Sequence, residues 1–110
     1  MPEIASKAAL TPARKWLVEL MQKIHFGRIE NLLVKNGEPV FEPSPRVIRE
    51  IKFNGENRPR PELNLNNFEL KAEVKELLAS LDQLENGCVE TIEVKHGLPF
   101  HMSIVVAIQL

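Results

Sequence analysis

Two stretches of the chain place apolar residues at helical spacing, and each runs on into a strand, a tight turn and a second strand. In the first stretch Ala13, Trp16, Leu17, Leu20, Met21 and Ile24 recur at three- and four-residue steps and form one stripe. Thr11-Pro12 opens it with an N-cap and a first-turn proline, whose missing N–H would have had no helical partner anyway. Gly27 is the predicted left-handed stop. In the second stretch Leu70, Val74, Leu77, Leu78, Leu81 and Leu84 form the stripe, Asn66 or Asn67 is the predicted cap, and Gly87 the predicted stop. Glu69, Glu73, Glu76, Asp82 and Glu85, with Lys71 and Lys75, fall on the outer face, which reads as solvated.

The turns are the most specific local signals. Asn36-Gly37 predicts a type I′ hairpin, which requires positive φ at both central residues. His96-Gly97 holds the same place in the second stretch, and histidine tolerates that conformation less well than asparagine. A two-residue loop fixes the register. Lys35 should face Glu38, Val34 should face Pro39 and Leu32 should face Phe41; likewise Lys95 should face Leu98, Val94 should face Pro99 and Ile92 should face His101. Pro39 and Pro99 then point their nitrogens away from the hairpin partner, so each return strand must start at a sheet edge or beyond the end of the sheet.

Laid without gaps over residues 77–100, residues 17–40 match at seven of 24 positions, namely Leu17, Gly27, Glu30, Val34, Lys35, Gly37 and Pro39. The shared residues sit where backbone geometry is demanding, so a tandem duplication is the economical reading. It divides a single domain, 1–110, into repeat 1 (about 12–53), a linker (54–67) and repeat 2 (about 68–108). Within repeat 1, Arg46–Phe53 reads as a further strand, with Val47, Ile51 and Phe53 on one face. The linker is polar and rich in asparagine, with Pro59 and Pro61. The tail from Ser103 to Leu110 is apolar almost throughout and reads as a strand buried on both faces or covered by another subunit, because as a bare edge it would aggregate.

The sequence of helix, Phe26-Gly27-Arg28-Ile29, apolar strand, Lys35-Asn36-Gly37 and return strand resembles the small uncharacterised bacterial YezD-like proteins. The resemblance covers about residues 13–52, with a fainter echo over 74–105 that departs at Asn86-Gly87-Cys88, where the aromatic before glycine is missing. It implies a helix–hairpin fold, here doubled, and brings no catalytic or ligand-binding residue with it.

Composition adds limits rather than chemistry. With 110 residues and 44% apolar content the chain suffices for one core. A single cysteine, Cys88, excludes an intrachain disulfide and suits a reducing, cytoplasmic setting. No run is apolar enough to cross a bilayer, and Met1–Leu10 lacks a secretory core, so no membrane association is expected. The net charge of −1 hides a polarity: residues 1–60 hold 11 Lys and Arg against 7 Asp and Glu, and residues 61–110 hold 3 against 8. Such a chain can associate with itself, or offer its basic half to a polyanion.

Candidate sites are few. There is no phosphate loop, nucleophile elbow or zinc signature, so no catalytic residue, metal or other cofactor is expected. Cys88, His96 and His101 share one hairpin, but Cys88 and His96 should lie roughly 25 Å apart at about 3.3 Å per residue. Glu30 and Glu90 hold matching places in the two repeats and could meet across an internal axis as a carboxylate pair; the simpler reading is that each satisfies local partners. Arg46, Arg49, Lys52, Arg58 and Arg60 form a basic segment with Glu50 and Glu56 as its only acids, able to touch phosphates but with Phe53 as its only aromatic. The expected fold is two-layer α+β. Two helices lie on one face of a mainly antiparallel sheet of four or five strands, with pseudo-twofold symmetry. The expected function is a non-enzymatic binding or assembly module that forms a homodimer or larger oligomer. A nucleic-acid-associated regulator using residues 46–60 is the first alternative, and a ligand-binding protein or enzyme with a site between the repeats is the second.

Overall fold

A computed structural model of the chain describes residues 10–53 and 71–105. The order of elements is α1 (Pro12–Ile24), β1 (Phe26–Lys35), β2 (Glu38–Val40), β3 (Arg46–Arg49), α2 (Ala72–Leu84), β4 (Gly87–Lys95) and β5 (Leu98–Ile104). The five strands form one open α+β sheet in which every pairing is antiparallel. β1 and β4 are its centre. β5 lies beyond β4, while β2 and β3 pair with successive halves of the other side of β1 and act as one interrupted edge strand. Residues 41–45, with a cis peptide before Pro43, make the interruption.

Thr11 caps α1 by accepting a hydrogen bond from the Arg14 N–H, with Pro12 in the first turn. The helix does not end on Gly27 as the sequence suggested. His25 takes the positive φ of 63°, its N–H reaching the Met21 carbonyl, and Gly27 lies inside β1. Likewise Glu85, at φ 61°, closes α2 while Gly87 begins β4. Glycine is required at Gly27 for another reason: its φ is 154° and an added Cβ would collide with the Ile48 carbonyl of β3. α2 starts later than the Asn66 or Asn67 cap implied. Its N-cap is Lys71, with no side-chain bond, and both asparagines lie outside the described residues, as does the expected linker.

The core is one cluster between the helices and one face of the sheet. Leu17, Val18, Met21 and Ile24 of α1 and Val74, Leu77, Leu78 and Leu81 of α2 meet Ile29, Leu32 and Val34 of β1 and Val89, Ile92 and Val94 of β4. The buried stripe of α1 is rotated from the one read off the sequence. Val18 is inside and Trp16 is 51% exposed, lying edge-on to Phe41 with ring centroids 4.1 Å apart. In both central strands the buried positions slip by one in mid-strand. Ile29 and Leu32 both face the core, as do Val89 and Ile92, although each pair is three residues apart. The slip is absorbed where the ladder passes from Glu30↔Thr91 to Leu32↔Val89, leaving out Asn31, at φ 59°, and Glu90.

Both turns have the predicted positive φ, 53° and 77° at Asn36-Gly37 and 55° and 75° at His96-Gly97. Lys35↔Glu38, Val34↔Pro39, Lys95↔Leu98 and Val94↔Pro99 hold as expected. Farther out the register departs from prediction. β2 stops at Val40, before Phe41 can face Leu32. In the second hairpin His101 faces Glu93 rather than Ile92, because the register shifts between Glu93 and Val94 and Phe100 has no opposite number. The strand expected over Arg46–Phe53 keeps only Arg46–Arg49; Ile51 and Phe53 are 63% and 90% exposed. The tail strand is an edge rather than a buried core strand. β5 ends at Ile104, 39% exposed, followed by Val105 at 62%, and residues 106–110 lie outside the described residues. Among the described residues, no helix is long and apolar enough to cross a membrane.

Candidate functional site

The sheet has helices on one face only, so the face opposite the core is where side chains are on offer. Positions that alternate with the core residues put Arg28, Glu30 and Leu33 of β1 beside Glu93, Thr91 and Cys88 of β4. An ion-pair chain runs across it toward β3. Arg28 Nε lies 2.9 Å from Glu30, Arg28 Nη1 3.5 Å from Glu50, and Arg46 Nε 3.6 Å from the other oxygen of Glu30. These groups are substantially exposed, so each pair is worth about 0–1 kcal/mol.

Glu30 and Glu90 lie on adjacent strands near the middle of the central ladder. Glu30 turns its carboxylate to Arg28 and Arg46, whereas Glu90 is exposed and outside the ladder. The carboxylate pair needed for acid–base chemistry has one member already engaged elsewhere. Of the basic segment, Arg46 is held by Glu30, and Lys52 lies over the Phe26 ring at 4.0 Å. Arg49 faces Gly27 across the β1–β3 ladder, and Arg58 and Arg60 lie outside the described residues. Cys88 is half-buried opposite Leu33, His96 packs edge-on to Phe26, and His101 contacts Glu93 at 3.1 Å. Among the described residues no group of three or more His, Cys, Asp and Glu converges as a metal site would require.

One constellation was not read from the sequence. β1 starts and β4 ends at the same end of the central ladder, with Phe26 facing Lys95. Lys52, just past β3, covers Phe26, and Lys95 covers Phe100 of β5 at 4.2 Å. Phe26 is buried, its ring edge-on to His25 and His96 at 4.5 and 4.8 Å, whereas Phe100 is 63% exposed. A cleft of about 250 Å3 opens between them, with Glu50 and Glu93 on its wall. Two further clefts, toward α2, also use the Phe100 ring as a wall. The signal was present in the residues at 26, 52, 95 and 100, but only the fold, and the bulge that turns out Phe100, puts them together.

Among the described residues the most enclosed charged group lies elsewhere. Arg14 of α1 is 5% exposed. It donates from Nη2 to the Gly37 carbonyl at 2.9 Å and pairs with Asp82 of α2. Its Nε stands 3.1 Å from Glu38 Oε2, close enough for an ion pair but not aligned as a hydrogen bond. Glu38 in turn accepts from the Thr11 hydroxyl. This group joins both helices to the first turn. Comparison of the chain with protein-family models, with curated proteins and with solved structures gave no match.

Proposed function

We propose that this chain is a tandem duplication of one helix–hairpin unit and serves as a non-enzymatic binding and assembly module, associating with further copies of itself through β5. The observation that carries the assembly reading is the outer edge of β5. Among the described residues nothing pairs with it, His101 is the only ionisable side chain between Leu98 and Ile104, and Phe100, Ile104 and Val105 are exposed there. Natural edge strands of this length are usually guarded by charge or covered.

Support for the duplication comes from matched detail. α1 and α2 have 13 residues each and start 60 apart. The Gly37 N–H donates to the Glu85 carbonyl at 2.8 Å, and the Gly97 N–H donates to the His25 carbonyl at 2.9 Å, so each turn is tied to the end of the other unit's helix. The residue numbers of every β1–β4 pair sum to 121, as in Phe26↔Lys95 and Val34↔Gly87. A shift of 60 carries the pair Gly27↔Val94 onto Gly87↔Val34 and Leu32↔Val89 onto Ile92↔Ile29, as a twofold between the strands would.

Sedimentation velocity at tens of micromolar tests the assembly reading. The wild-type chain should sediment as a dimer or larger species. Ile104→Lys/Val105→Lys should return it to a monomer with an unchanged circular dichroism spectrum. A wild-type monomer at that concentration would refute it. The alternative, in which residues 46–60 grip nucleic acid, draws on the edge position of β3 and the 73% exposure of Arg46. It is weakened by the contact of that residue with Glu30, and a gel shift that ignores salt would remove it.

A further inference from the structure

Phe100 is where the second hairpin departs from the first. Equivalent residues of β2 pair regularly, Leu33↔Val40 following Val34↔Pro39, but in β5 the ladder jumps from Val94↔Pro99 to Glu93↔His101 and skips Phe100. A bulge of this kind turns a side chain out of the regular alternation, and bulges are over-represented beside functional sites. Here it turns out an aromatic ring, 63% exposed, that forms a wall of three adjoining clefts.

We propose that the cleft between Phe26, Lys52, Lys95 and Phe100 binds a planar base carrying a phosphate, as a nucleotide or as one residue of a single-stranded nucleic acid. This rests on reading the chain as a binding module and shares only Phe100 with the exposed stretch of β5.

The chemistry of the four residues selects that class. Phe100 offers a ring face on which a base can stack, an interaction that tolerates any base. Lys95 is parked on that ring at 4.2 Å and Lys52 on Phe26 at 4.0 Å. An exposed cation–π contact is worth only about 0.5–1 kcal/mol, so the Lys95 ammonium leaves the exposed Phe100 ring for a phosphate at little cost. The cleft, about 250 Å3, is slightly below the usual range of about 300–1,000 Å3 for small-molecule sites, which favours one ring system over an extended cofactor. Glu50 and Glu93 also line it and repel an anion, but each already has a cationic or ionisable neighbour, Arg28 at 3.5 Å and His101 at 3.1 Å. Near the base they serve as acceptors for exocyclic amino groups, as carboxylates do for cytosine N4. The phosphate end is then left to the lysines.

The test is a titration of the full-length, 15N-labelled protein followed by amide shifts, with cytidine monophosphate, an oligo-cytidine, an oligo-deoxycytidine and inorganic phosphate as separate probes. Saturable shifts centred on residues 26, 52, 93–95 and 100 are expected with the oligonucleotides, the mononucleotide, or both. Comparing those arms distinguishes a nucleotide site from a single-strand site. Phosphate alone should bind at least ten-fold more weakly. Phe100→Ala should weaken binding about ten-fold or more. Lys52→Gln/Lys95→Gln should weaken it similarly and flatten its salt dependence. Phe100 is exposed, so its variant should fold normally, and an unchanged melting curve checks this. Absence of saturable shifts with every probe, equal affinity for phosphate, or full binding by Phe100→Ala would overturn the proposal. Sedimentation of the same samples keeps the two readings apart. A monomer that binds the probe defeats assembly and leaves the cleft, whereas an oligomer that binds none defeats the cleft and leaves assembly.

Discussion

Replacing Arg14 by methionine should destabilise the fold by about 2–3 kcal/mol. Methionine keeps the unbranched apolar stem, so the loss is confined to the guanidinium. That group donates at 2.9 Å to the carbonyl of Gly37, a buried residue, and a hydrogen bond from a charged donor is worth about 1.5–3 kcal/mol. Its ion pairs add less, because the Glu38 and Asp82 side chains are 33% and 62% exposed and water screens them, leaving about 0–1 kcal/mol for each. Relief from burying a charge offsets part of the total, which holds the expectation near the lower sum. The order of effects should be Arg14→Met first, then Glu38→Gln, then Asp82→Asn at under about 1 kcal/mol. Urea unfolding reads all three, followed by circular dichroism and by the fluorescence of Trp16, the only tryptophan. An Arg14→Met variant within about 0.5 kcal/mol of wild type, the usual range for a neutral surface change, would refute the reasoning. So would Asp82→Asn costing more than Arg14→Met, since the solvated partner would then be carrying the interaction.

Other perturbations have equally definite outcomes. Gly27→Ala should cost about 2–4 kcal/mol, from the strained φ and the collision with β3, and amide exchange should show β3 released before the rest of the sheet. Leu81→Ala, at a position with no exposure, should cost about 2–5 kcal/mol in the same urea assay. Phe53→Ala, at 90% exposure, should change stability by less than about 0.5 kcal/mol.

Local chemistry was the legible part of this fold. Thr11-Pro12 marked the start of α1 because a cap and a first-turn proline act within one turn, and Asn36-Gly37 marked its turn because two positive φ values are a two-residue demand. The prolines placed β2 and β5 at the sheet edges for a similar reason. What escaped depends on partners distant in sequence. The glycines stand where the sequence predicts helix stops, but His25 and Glu85 take that conformation, and Gly27 is needed because β3 presses on it. The mid-strand slip at Asn31 and Glu90 and the bulge at Phe100 answer to the neighbouring strand, so single-strand alternation could not locate them. Arg14 had left a trace: it lies three and four residues before Leu17 and Val18 on the buried stripe, where a charged residue implies a partner inside. Of the site residues, the basic segment is marked by charge density, while the cleft combines residues from β1, β4, β5 and the chain after β3 and has no linear signature.

The central β1–β4 ladder also sets how the chain must fold. Its contacts join residues from 53 apart, at Val34↔Gly87, to 69 apart, at Phe26↔Lys95, so the middle of the sheet is its least local part. Each hairpin can close early, but the step that makes the core must first bring the two halves together, and such topologies fold slowly for their size. On the ribosome the first half emerges with β1 lacking its central neighbour until the second half follows. During that interval β1 of one chain can meet β4 of another, giving a swapped dimer with the same ladder. Its yield should rise with protein concentration during refolding and stay fixed once folding is complete.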